Sequence, residues 1–130
     1  MRHLFLYLGL IISTPGIYAS QVSNQEICHR LAAMLQEEVR LLQGVTDQAS
    51  AQAAAPQLAR IVSELQSLNN VIEDDQKLWK YIENTPGAKQ PLIDVLELLL
   101  VELQRMDSNR CYNVRALEAA LRPQLIPAAA

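Results

Sequence analysis

Two cysteines, Cys28 and Cys111, and one histidine outside the N-terminal leader, His29, are the residues with the most obvious chemistry. An even cysteine count in a small chain bound for an oxidising compartment points to a disulfide between Cys28 and Cys111. Two buried thiols or an intermolecular bridge are the alternatives. Glu26-x-x-His29 has the spacing of one carboxylate–histidine pair of a di-iron bundle, but such a site needs a second pair and two further glutamates. With His3 in the leader, the set cannot be completed, and His29 reads as a first-turn residue partly open to solvent. His29 with Met34 or Met106 would supply two axial ligands to haem. No Cys-x-x-Cys-His attachment motif accompanies them, and both methionines suit a core. Glu73-Asp74-Asp75 lacks the alternating oxygen ligands and central glycine of a calcium loop and reads as a solvated helix junction. Glu37 and Glu38 read as an exposed pair of acids on a helix face. No glycine-rich phosphate loop and no Ser/His/Asp set free of His29 occurs. These residues assign no catalytic role, cofactor or metal.

The elements that must position these residues are helical. Of the 130 residues, half are apolar and only 5% aromatic; glycine is scarce, while Ala, Leu, Gln and Glu are abundant. Residues 1–19 have the layout of a secretory signal peptide. Met1-Arg2-His3 is a short positive start, Leu4 to Ile12 an apolar run, and Ile17-Tyr18-Ala19 a cleavage site. The run is too short to span a bilayer. The expected product is exported, to the periplasm or beyond the cell, with no stable membrane insertion after cleavage. The net charge is −3 and the cations are dispersed, which disfavours a nucleic-acid footprint.

Ser23 and Glu26 form a capping box, and Cys28, Leu31, Leu35, Val39 and Leu42 make one helical stripe, predicting a helix over 24–43 with Gly44 as a left-handed stop. Asp47 caps the next. Its stripe of Ala51, Ala54, Leu58, Ile61, Leu65, Leu68 and Ile72 passes Pro56 without a slip, favouring one kinked helix over 48–72 rather than a break. A short helix follows over 76–84, with Leu78, Trp79 and Ile82 inward. Thr85-Pro86-Gly87 is a break, and Pro91 opens a helix to about residue 110 on Leu92, Val95, Leu96, Leu99, Leu103 and Met106. Asn113 is a left-handed end, and Val114, Leu117 and Leu121 form a last amphipathic stretch. Pro123 and Pro127 mark 123–130 as a flexible tail.

The expected fold is an all-α, up-and-down bundle over residues 20–122, of about four antiparallel helices with the third one short. A Cys28–Cys111 bridge requires the first helix and the 91–110 helix to run antiparallel.

The segments Asp47-Gln48-Ala49-Ser50-Ala51-Gln52-Ala53-Ala54-Ala55-Pro56-Gln57-Leu58 and Arg110-Cys111-Tyr112-Asn113-Val114-Arg115-Ala116-Leu117 are similar to parts of small exported bacterial helical proteins with no assigned function, with Asn113 in place of an expected glycine. The resemblance implies export and a helical fold and transfers no site. The functional expectation is a non-enzymatic exported protein that binds another macromolecule, either a protein or an envelope component. The alternative is a small-ligand or haem carrier that uses the bundle core.

Overall fold

The computed structural model describes residues 23–69 and 75–129; the leader, Ile72 and the Glu73-Asp74 pair lie outside them. The described residues form five α-helices: α1 (Asn24–Gln43), α2 (Gln48–Asn69), α3 (Asp75–Glu83), α4 (Pro86–Ser108) and α5 (Arg115–Ala129). A tight turn, Arg110–Asn113, joins α4 to α5. Among these residues there is no strand, and no helix is long and apolar enough to cross a membrane.

Local chemistry sets the helix starts. The Ser23 hydroxyl accepts from the Glu26 amide at 3.1 Å, satisfying one unpaired donor of the first turn. The other half of the expected capping box is replaced, because the Glu26 carboxylate takes the Arg30 guanidinium at 3.0 Å. Asp47 caps α2: its carboxylate accepts from the Ser50 amide at 2.8 Å, and the Ser50 hydroxyl accepts from the Asp47 amide at 3.0 Å.

Three boundaries differ from the sequence reading. Gly44 ends α1 in a right-handed conformation, φ −79, since Gly44 and Val45 close on the Leu41 and Leu42 carbonyls without a left-handed residue. α4 starts at Pro86 rather than Pro91. Pro86 lacks an amide hydrogen, which an N-terminal helix position does not need, and the Thr85 carbonyl accepts from both Ala88 and Lys89 at 2.9 Å. α5 runs through Pro123 to Ala129 with Gln124 buried, so residues beyond 122 continue the helix instead of leaving it as a tail.

One core runs through all five helices. Leu31, Leu35 and Leu42 of α1 meet Leu58, Ile61 and Leu65 of α2, Leu78 and Ile82 of α3, Leu99 and Met106 of α4, and Leu117 and Leu121 of α5, each almost wholly shielded from water. Burying a side chain of this size contributes about 1.5–3 kcal/mol, so the stripes dominate the stability. Ala51 and Ala55 are buried on α2, where small side chains allow close helix approach.

α1 packs chiefly on α4, and α2 chiefly on α5. The Arg105 guanidinium, near the end of α4, donates to the Leu42 and Val45 carbonyls at the end of α1, at 2.6 and 2.7 Å. The two helices therefore finish at one end of the bundle, the base, and run parallel. This corrects the antiparallel pairing that a Cys28–Cys111 bridge demands. α2 follows α1 through the short 44–47 loop, and α5 follows α4 through the tight turn. α3 is short, nine residues, and packs on α4 and α1.

Candidate functional site

Cys28 and Cys111 are separate, buried, free thiols. Cys28 sits in the second turn of α1. The helix from there to Leu42 is roughly 20 Å long at 1.5 Å per residue. Cys111 belongs to the base, beside Tyr112, whose hydroxyl accepts from Arg105 at 3.0 Å. A disulfide needs Cα atoms within about 7 Å. The expected intramolecular bridge is thus not made in this structure, because the parallel course of α1 and α4 holds its halves at opposite ends.

The other candidate ligands also stay apart. His29 is exposed in the early turns of α1, Met34 is half-buried on the same helix, and Met106 is buried near the base. Among the described residues no group of three or more His, Cys, Asp or Glu side chains could hold a metal ion.

The base carries an open cleft of about 580 Å³, lined by Asp107, Arg110, Cys111, Glu118, Arg122 and Leu125. Three elements build it. Asp107 comes from the last turn of α4, Arg110 and Cys111 come from the tight turn, and positions 118, 122 and 125 share one face of α5. The turn is unusual: Arg110, Cys111, Tyr112 and Asn113 all have φ between 52 and 61. Four successive non-glycine residues in the left-handed region carry a cost of about 1–2 kcal/mol each. The expectation of a left-handed Asn113 holds, and the conformation extends over its three predecessors.

Electrostatics limit what the cleft can do. Burial pushes the Cys111 thiol up to about 11, with the Glu118 and Asp107 carboxylates adding to the shift. The thiolate is the nucleophilic form, so at neutral pH Cys111 is an inert wall. Burial likewise lifts Cys28 to about 11. Glu118 and Arg122 approach at 3.8 Å across one helical turn. The cleft thus offers both signs of charge around an apolar edge.

A second polar constellation, absent from the sequence reading, lies inside the core. Glu38, expected on an exposed face, is fully buried, as is Gln124 of α5. The Gln124 amide Nε2 donates to Glu38 Oε1 at 3.0 Å. Glu37, its neighbour, does face outward and pairs with Arg60 at 3.3 Å. The signal for the buried pair was periodic. Position 38 is one heptad beyond Leu31, and position 124 one heptad beyond Leu117, so both lie on apolar stripes.

No protein-family model, curated protein or solved structure matches this chain.

Proposed function

We propose that this protein is exported, is not an enzyme, and works by binding another macromolecule, a protein or envelope component, in the cleft at the base. The observation that carries this reading is the cleft itself, where Arg110, Arg122, Asp107 and Glu118 surround an apolar edge at Leu125. Such a lining suits a polar segment of a partner, which it can hold by ion pairs and one apolar contact. The protonated Cys111 thiol leaves the cleft without a nucleophile. Export is supported by the positive start, apolar run and cleavage site at the N-terminus.

Two measurements test the reading. Mass spectrometry of exported material should find the N-terminus at Ser20 or within a couple of residues, and an intact Met1 outside the cytoplasm would remove the export half. A photo-crosslinking side chain at Arg122 should give a discrete adduct in the native compartment. The same group at Lys80, exposed on α3, should not, and Arg110→Glu should abolish the adduct. The same products from both positions, or no loss with Arg110→Glu, would remove the cleft from the account.

A further inference from the structure

Glu38 and Gln124 pose a hydrogen-bonding problem. Glu38 Oε1 accepts the amide of Gln124, but Glu38 Oε2 and Gln124 Oε1 are buried and have no partner. An ionised carboxylate only accepts, and so does an amide oxygen. If Glu38 were ionised, a charge and a second acceptor would both be stranded in an apolar core, an arrangement that costs far more than one bond returns. A proton on Glu38 Oε2 removes both defects together. It turns one orphaned atom into a donor, and the other is the acceptor on the facing side chain.

We propose that Glu38 is held in its protonated form and closes a two-bond ring with Gln124, a latch that fastens α5 to α1 and opens when the carboxyl ionises. On opening, the proton passes to solvent, and the new charge can be hydrated only if α5 moves away. The inference goes beyond the cleft and does not depend on it. α5 is suited to such movement. Pro123, immediately before Gln124, contributes no amide hydrogen to the helix, so tertiary anchors matter more there.

The surrounding charges do not provide another explanation. On α2, Arg60 pairs with Glu37 and Glu64 at the surface. On α4, Glu102 and Arg105 bond each other, and Asp94, Glu97 and Asp107 are exposed, with Lys89 half-buried. Lys77, Lys80 and Glu83 on α3 are exposed, as are Arg115, Glu118 and Arg122 on α5. Only burial, which raises it, and the Gln124 amide, which lowers it, act on the Glu38 carboxyl, leaving it at about 7. Because the folded value exceeds the ordinary 4.5, the folded chain binds the proton more tightly than the unfolded one. The latch's contribution is complete below the unfolded value and is lost as pH rises through about 7.

The test uses the full chain in two ways. In carboxyl-carbon NMR of the wild type, one glutamate should titrate near neutrality, well above the ordinary range for glutamate. In denaturant titrations, the wild-type midpoint should fall between about pH 5 and about pH 8, relative to Glu38→Gln, whose amide can donate to Gln124 but cannot ionise. Over the same interval α5 amides of the wild type should come to exchange roughly tenfold faster than those of the variant at equal pH. Midpoints that move in parallel, or a Glu38 resonance titrating in the ordinary range, would overturn the latch. The NMR readout needs no variant, so it stands even if Glu38→Gln does not fold.

Discussion

Arg105 donates to the Val45 carbonyl at 2.7 Å, joining the end of α4 to the residue that leaves α1. The same guanidinium reaches the Leu42 carbonyl, Glu102 at 2.8 Å and the Tyr112 hydroxyl. One planar fork thereby adds a second donor to the Leu42 carbonyl, which also accepts from the Val45 amide, takes up the Val45 carbonyl just beyond α1, and ties both to the left-handed turn. Arg105→Ala should lower stability by about 1.5–3 kcal/mol, the scale of hydrogen bonds made by a charged group. Arg105→Lys should recover less than half, because an ammonium cannot span both carbonyls. Urea midpoints of the two variants test this, and full recovery by lysine would mean that charge alone suffices.

That arginine also marks where sequence reading stopped. The stripes of α1 and α4 were legible residue by residue, since each is a local pattern, and the 24–43 bounds follow from Ser23 and the stripe itself. Helix direction depends on distant partners. Arg105 and Leu42 are 63 positions apart, and nothing periodic connects them. Glu38 was misread for a different reason. Its position fits the α1 stripe, but a carboxylate there is expected to face water unless another element covers it. That cover is α5, which two prolines made to look finished before Gln124. The left-handed turn was half visible: Asn113 signals it, whereas Arg110, Cys111 and Tyr112 have no intrinsic preference for it.

Both thiols should be free. Two sulfhydryls per chain should react with a thiol reagent under denaturing conditions, and slowly in the native state, since burial holds both near 11. Adding reductant should leave the denaturation midpoint unchanged. A reductant-sensitive midpoint would show a bridge, and hence a different course for α4.

Asn113 reports the strain of the turn. Its φ of 61 suits glycine or asparagine and excludes β-branched residues. Asn113→Gly should therefore change stability by no more than about 0.5 kcal/mol, as relieved strain offsets the greater freedom of the unfolded chain. Asn113→Val should cost about 1–2 kcal/mol. Equal stabilities would argue against a left-handed turn.

Asp47 contributes on the acid side of the stability profile, with a sign opposite to that of Glu38. Bonds from the Ser50 amide and hydroxyl hold its carboxyl below the usual 3.8. The cap's contribution is present above that value and is lost as pH falls through the folded one. Asp47→Asn should keep the cap and flatten this acid loss, whereas Asp47→Ala should lower the midpoint at neutral pH. An acid limb that is the same in Asp47→Asn as in the wild type would assign it to another carboxylate.

Pro56 is the position at which a residue works against its own helix. α2 runs unbroken from Gln48 to Asn69 with Pro56 inside, and Ala51, Ala55, Leu58 and Ile61 stay buried on either side of it. A proline there cannot donate to the carbonyl four residues back, and its ring crowds that carbonyl, at a cost of about 3 kcal/mol. The residue is exposed, so a smaller side chain leaves no hole in the core. The unfolded chain acts in the other direction, because removing a proline frees it by up to about 1 kcal/mol. Pro56→Ala should therefore stabilise the protein by about 2 kcal/mol, read from the denaturant midpoint. A neutral or destabilising result would mean that Pro56 helps to seat Ala51 and Ala55 in the core, making the proline part of the packing.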